Sequence, residues 1–464
     1  MENQNRDAER RTPELAAPIL RDTPDWAADA VAPQKPPFSA SKTERIAAFL
    51  MYPLAFCYIQ MLLAPLSAGA VWLCAFCAGF LAMTELLCRG RRRTWESRVW
   101  LGCLLVLIAF RVRLIAEAGR CGDDAPVHAV SPALSFFLLH AYAVYWVLCR
   151  SDTLLGGESS RLLPLDAMNG MIVFPFGGFF LRIRTAVSAL AQLLRTRGGE
   201  KRSAAVRAGI AAAILAACAL LVLSMRALSD ADARFGAAVS GLLAALTPDW
   251  NERTLADFLF RFCLSLPVGA YLFGLIAGAA RREPQALRAR GSAFEQALEK
   301  LRSVPAAVLA ALAAVFAAVY LAFFALQASY LFGAFTRTVP EGYTVAEYAR
   351  QGFFSLCRVM AVNFALLWLM ARTGVRPPQT QRALRALCTV LLAQSLLFAV
   401  IAASKLTLYI TIYGFTPLRL QSAWLIAVLT AGCGCALYSL WSGKRSFRFW
   451  TLFSGLTLAL LHLY

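Results

Sequence analysis

Charge is what this sequence has little of. Of its 464 residues only 16% are charged, and the 27 acidic residues fall well short of the 46 basic ones. An ordinary soluble domain carries about 25% charged residues, so a string of water-soluble domains is excluded, although the length alone would suggest two or three. Catalytic signatures are missing too. There is no Walker motif, dinucleotide fingerprint, HExxH or nucleophile elbow, so no motif points to nucleotide, zinc or acyl-transfer chemistry. No apolar run precedes a cleavage site near the start, and a cleavable signal peptide is not expected. The thirteen cysteines mostly fall in apolar stretches (Cys57, Cys74, Cys77, Cys103, Cys218, Cys263, Cys433, Cys435), where a thiol behaves as a small hydrophobe. Cys121 alone falls in an expected external loop, which argues against a disulfide framework.

Apolar residues make up 59% of the chain, with a mean hydropathy of +0.59. They are gathered into runs of about twenty residues, the length that crosses a hydrocarbon core of ~30 Å. The expectation is an all-α polytopic transmembrane bundle of about eleven spans, at 46–63, 67–88, 97–116, 132–149, 208–225, 256–280, 305–326, 352–371, 386–404, 418–441 and 449–463. The last is the shortest. Residues 1–44 are polar and proline-rich and read as a disordered cytoplasmic tail; 45–464 form the membrane domain.

Lys and Arg set the orientation. Most of the 46 lie in the tail and in 89–98, 150–207, 281–302, 372–385 and 444–448. Few lie in 111–120, 226–253, 337–350 and 405–419. The positive-inside rule then puts the N-terminus in the cytoplasm and the C-terminus outside. The surplus of +19 is a topology signal, with anionic lipid headgroups as the expected neighbours and no nucleic acid. Two longer connections carry their own pattern. Residues 164–196, within the cytoplasmic segment 150–207, resemble a helix lying on the inner leaflet. Residues 229–249, within the external segment 226–255, read as a short amphipathic helix capped by Ser229 or Asp230.

Two stretches hold the polar residues that could carry chemistry. In the first, Thr344 and Glu347 form a T-x-x-E capping box, and a helix beginning there would run into the eighth span. Glu347, Gln351, Phe354 and Arg358 share one stripe of it, so the arginine sits at membrane depth. Such a residue either lines a wet vestibule or snorkels to the headgroups. In the second stretch Lys405, Tyr409 and Tyr413 recur every fourth residue, Gly414 suits a helix C-terminus, and Thr416-Pro417 suits a new N-terminus. The candidate external polar site is therefore Glu347, Tyr348, Arg350, Arg358, Lys405, Tyr409, Tyr413 and Arg419, with an aromatic interfacial belt as its competing interpretation.

Other residues read as structural. His140 lies mid-span and is expected to be hydrogen-bonded. Asp257 and Arg261 suit an i, i+4 ion pair, and Glu85 one with Arg89. Asp123, Asp124 and His128 share a loop but make a poor metal site, and Cys74 and Cys77 have CxxC spacing inside an apolar helix; no metal or cofactor is expected. Ala270, Gly274 and Gly278 would allow close helix packing, below a kink at Pro267.

At Tyr348-Ala-Arg350-Gln-Gly352-Phe353-Phe354 and Leu408-Tyr409-Ile-Thr-Ile-Tyr413-Gly414-Phe-Thr416-Pro-Leu-Arg419 the chain resembles a bacterial membrane-protein family known only as domain of unknown function 4153 and 4173. Leu228-Ser-Asp230-Ala-Asp232-Ala-Arg-Phe235 and Leu264-Ser-Leu-Pro267-Val-Gly-Ala-Tyr271-Leu-Phe-Gly274 add weaker matches, the whole covering about residues 205–440. The resemblance implies a multi-span bacterial membrane protein and supplies neither an activity nor functional residues. Three functions stay open. A non-enzymatic envelope sensor, scaffold or assembly factor, with lipid or another membrane protein as partner, requires no chemistry. A small-solute transporter requires midplane carboxylates that are hard to find here. A membrane enzyme acting on a lipid or lipid-linked substrate would have to use the external polar set.

Overall fold

A computed structural model describes residues 38–63, 66–121, 130–197, 252–335 and 342–463, together with position 212. The chain divides into Met1–Ala40, of which only 38–40 are described, and Ser41–Tyr464, which holds all the helices below. The expected span 208–225, the helix 229–249, the tail to residue 37 and Asp123, Asp124 and His128 lie outside the described residues.

Nine described helices are long and apolar enough to cross a bilayer, and ten if the bent pair within 163–192 is one span. The chain is a multi-pass helical membrane protein. No strand forms among the described residues, where a lone bridge joins Val304 to Gly374.

The first half is built from α1 (Lys42–Leu63), α2 (Leu66–Leu87), α3 (Trp95–Cys121) and α4 (Pro132–Ser151). Local chemistry starts and stops them. Ser41 and Glu44 exchange hydrogen bonds of 3.1 and 2.7 Å in a capping box at the head of α1. Ser131 caps α4 ahead of Pro132, and Asp152 ends it in the left-handed region at φ 58°. α8 (Glu252–Ala280) packs back against α1. Leu73, Leu107, Trp146, Leu148 and Phe273 fill the core between these helices.

Residues 163–197 depart from the expected surface helix. They form α5 (Leu163–Met168), a π turn at Asn169–Val173, α6 (Phe174–Gly177) and α7 (Leu181–Arg197), with a 41° bend before α7. The segment enters the bundle. Gly178 lies against Gly274, and farther along Arg182 is 3% exposed, stacked on Tyr52 of α1 at 4.2 Å and against Gly269 of α8. The reason is the small-residue stripe of α8. A Cβ on Gly274 would come within 2.4 Å of the Pro175 carbonyl oxygen, so only glycine lets the two backbones approach.

The second half holds α9 (Pro284–Glu299), α10 (Ala306–Leu326), α11 (Ala328–Phe332), α12 (Val345–Thr373), α13 (Arg382–Tyr413) and α14 (Pro417–Ser442). α13 is its centre: α10, α12 and α14 all pack along it, with Phe398, Leu391 and Met370 in the core. α15 (Phe447–Leu461) is shorter and joins the halves by packing on both α14 and α3.

Polar contacts sort the connections into two ends. At one end Arg91 donates to the carbonyls of Ala280 and Arg282, Arg150 pairs with Glu85, Arg288 with Asp152, and Arg281 with Glu44. At the other Arg111 donates to the Pro132 carbonyl, Arg113 to that of Leu463, and Arg261 to Gln60. The connections rich in Lys and Arg thus share one end of the bundle. Glu85 does not use Arg89. It reaches Arg150 at 2.9 Å and Arg93 at 2.6 Å, because α2 stops at Leu87 and the i+4 position is already off the helix. Asp257 and Arg261 do pair, at 2.7 Å.

Candidate functional site

The eight polar residues of the arginine-poor end fall into separate places. Glu347 closes the capping box with Thr344, accepting from its backbone N–H at 3.1 Å. Arg350, Phe354 and Arg358 are exposed, while Tyr348, Gly352, Phe353, Leu356 and Met360 form the buried face of α12. The Gln351 side chain lies outside the described set. The polar stripe therefore turns away from that face, and among the described residues Arg358 lines no vestibule toward α13.

Lys405 and Tyr348 do meet. The Lys405 ammonium is fully buried, 3.8 Å from the centre of the Tyr348 ring and 3.9 Å from that of Tyr330. The two rings stand edge to face, and Tyr348 donates to the Tyr330 carbonyl at 2.5 Å. No described atom accepts a hydrogen bond from the ammonium. Burying an unpaired charge is costly, and two ring faces offset part of that cost, by about 2 kcal/mol when desolvated. The contact is closed: a Cβ on Gly352 would stand 2.5 Å from Lys405 Nζ. Beyond it, Arg419 lies over the Tyr409 ring at 4.2 Å and the Tyr413 ring at 5.9 Å and donates to the Gly414 carbonyl. That second cluster ties the end of α13, where Gly414 has φ 79°, to the start of α14. His140 also has its partner, Tyr271, at 3.2 Å.

The opposite, arginine-rich end holds a cavity. α12 and α14 both pack on α13 and leave between them an apolar chamber of about 530 Å³. Ala361, Phe364 and Trp368 line one wall, Leu429, Gly432 and Ala436 the other, and Trp450 of α15 closes the side. Small residues on the two facing helices leave the space. Arg372, at the end of α12, and Arg161, from the loop after α4, stand in the same lining. From Arg372 back to Ala361 the helix runs about 16 Å at ~1.5 Å per residue, close to half of a ~30 Å hydrocarbon core. The chamber is one leaflet deep.

Its rim is positive. Neither Arg161 nor Arg372 has an ion pair among the described residues, and Arg372 leans on Trp368 at 5.9 Å. Desolvation by the surrounding protein, and then the guanidiniums of Arg372 and Arg445, pull the Arg161 pKa below its ordinary value, with Glu295 opposing. Arg161 and Phe447 also line a second, polar cleft of about 380 Å³ bounded by the 155–162 loop, α9 and the start of α15. There Arg288 is held by Asp152 at 2.7 Å, and Arg448 by Glu158 at 2.5 Å and by the buried Glu96. Glu96 in turn accepts from the Ser159 backbone N–H and hydroxyl at 3.0 and 3.1 Å, which fixes the loop.

Nothing in the sequence pattern placed a site here, because its residues come from six separate segments. One signal was legible in principle: Ala361 and Ala371 on α12, which ends beside Arg372, and Gly432 and Ala436 on α14 are small residues on the two facing helices.

The family described as "Domain of unknown function (DUF4153)" matches residues 46–464, and the chain belongs to that family. Neither a curated protein nor a solved structure matches it.

Proposed function

We propose that this DUF4153 member is a non-enzymatic protein of the bacterial cytoplasmic membrane that binds an anionic lipid of its own bilayer and acts as a lipid-dependent sensor or scaffold. The observation that carries this is the chamber. It is apolar, one leaflet deep, and rimmed by Arg161 and Arg372, neither of which forms an ion pair among the described residues. Guanidinium groups favour planar, bidentate contacts to phosphate, and basic pockets between spans suit lipid headgroups. With basic connections inside, the mouth opens at the cytoplasmic leaflet.

Other features support a role without chemistry. At the far end Lys405, Glu347 and Arg419 are engaged with rings, a helix cap and a carbonyl. Glu85 and Asp257, two acids that a coupled transporter could draw on, are held in ion pairs near helix ends.

The reading is tested by labelling the full chain in membranes with a photoactivatable anionic phospholipid whose reactive group lies along the acyl chain. Label on the 361–372 and 429–450 peptides, competed by unlabelled anionic lipid, is expected. Label spread evenly over all lipid-facing helices contradicts it.

A further inference from the structure

The polar cleft beside the chamber bears on which anionic lipid is bound. We infer that the headgroup reaches through the Arg161 mouth into this cleft and is a phosphodiester bearing free hydroxyls, a phosphoglycerol, in preference to a bare phosphate or an amine. The inference rests on the lipid-binding reading above and adds the headgroup class to it.

Three observations carry it. The spaces are neighbours that share Arg161 and Phe447 in their linings, so a lipid with its chain in the chamber has its phosphate at the entrance to the cleft. The cleft, at about 380 Å³, has room well beyond what a phosphate needs. Its far wall is chemically mixed. Arg445 and Glu295 face each other at a loose 4.0 Å, and Ser292 donates its own proton to the Ala289 carbonyl at 2.9 Å, leaving its oxygen to accept. The wall is set in place by Gly291, where a Cβ would come within 2.5 Å of the Leu155 carbonyl oxygen.

Such a wall discriminates. A phosphate monoester would be drawn to the guanidiniums but would leave the Glu295 carboxylate and the Ser292 oxygen without donors. An ammonium would supply donors but would sit among Arg161, Arg445 and Arg448. Hydroxyl groups donate to Glu295 and Ser292 and accept from Arg445 without adding charge of either sign. Two additional hydrogen bonds of ordinary net strength correspond to a preference of about tenfold.

The experiment uses the purified full chain and three phospholipids with identical acyl chains, phosphatidylglycerol, phosphatidic acid and phosphatidylethanolamine, with retention read by native mass spectrometry. Glu295→Gln and Ser292→Val are compared with the unchanged chain, with monodisperse elution as the check on folding. The expected result is phosphatidylglycerol held about tenfold over phosphatidic acid, phosphatidylethanolamine held least, and both variants losing the preference while holding phosphatidic acid as before. Free glycerol phosphate should not displace the lipid. Equal retention of phosphatidylglycerol and phosphatidic acid, or a preference that survives both variants, overturns the inference and leaves lipid binding standing. Strongest retention of phosphatidylethanolamine, or displacement by free glycerol phosphate, overturns the headgroup assignment or the lipid occupant respectively. Retention of none of the three removes lipid binding and this inference together.

Discussion

The Lys405 ammonium stands 3.8 Å from the centre of the Tyr348 ring, and this contact joins the two polar stretches of the arginine-poor end. One is on α13 and the other on α12. Their meeting is a packed joint in which a charge is held by ring faces, with Gly352 making the room.

Gly352→Ala should destabilise the protein, because the new Cβ meets Lys405 Nζ at 2.5 Å and Cδ at 2.8 Å. Overpacking of this kind costs about 1–3 kcal/mol. Lys405→Ala should restore much of that loss when combined with it. Thermal unfolding in detergent of both single variants and the double variant measures the coupling; strictly additive losses would show that the two residues do not press on each other.

Gly274→Ala should be worse, since the obstacle is the Pro175 carbonyl oxygen at 2.4 Å, a backbone atom with little freedom to move. Gly434→Ala, where nothing lies within 4 Å, is the matched control on another span. The expected outcome is a clear drop in unfolding temperature for the first and none for the second. Equal behaviour would mean that the 174–178 segment does not sit against α8.

Arg150 is 2% exposed and makes hydrogen bonds of 2.9 and 3.0 Å to Glu85, joining α4 to α2. Glu85→Gln leaves that guanidinium buried without a counter-charge and should cost about 3 kcal/mol. Arg93→Gln, on the exposed side of the same carboxylate, should cost less than about 1 kcal/mol. Unfolding midpoints of the two variants check the order, and reversed ranks would reject it.

The end that gathers Arg91, Arg150, Arg281 and Arg288 should face the cell interior. An epitope placed within 283–302 should be silent on intact cells and should react after permeabilisation. Reaction on intact cells would invert the map and with it the leaflet assigned to the chamber.

Much of the fold was legible because its signals are local. The Thr344–Glu347 capping box and the turn at Gly414 and Thr416-Pro417 each involve atoms within a few residues, and they appear where the pattern placed them. The small-residue stripe on α8 was legible as close packing, but its partner was not: the 163–197 segment looked amphipathic enough to lie on a surface, and only the fit of Gly178 to Gly274 brings it inside. Helical periodicity placed Glu347 and Arg358 on one stripe without saying which way the stripe turns. The buried side proved to be the one with Tyr348, Gly352 and Met360, and the polar side faces out. The chamber left no signature beyond the small residues of α12 and α14, because Arg161, Arg372, Ala436 and Trp450 meet only after α12, α14 and α15 have packed.

The most direct test of anionic lipid binding is the lipid that stays with the purified chain. Native mass spectrometry of the unchanged protein should show a bound anionic phospholipid. The Arg161→Ala/Arg372→Ala pair, and separately Ala436→Trp, which fills the chamber, should each lose at least about 90% of it, a tenfold effect, while eluting as the unchanged protein does. Full retention of the same lipid in both variants would contradict the account.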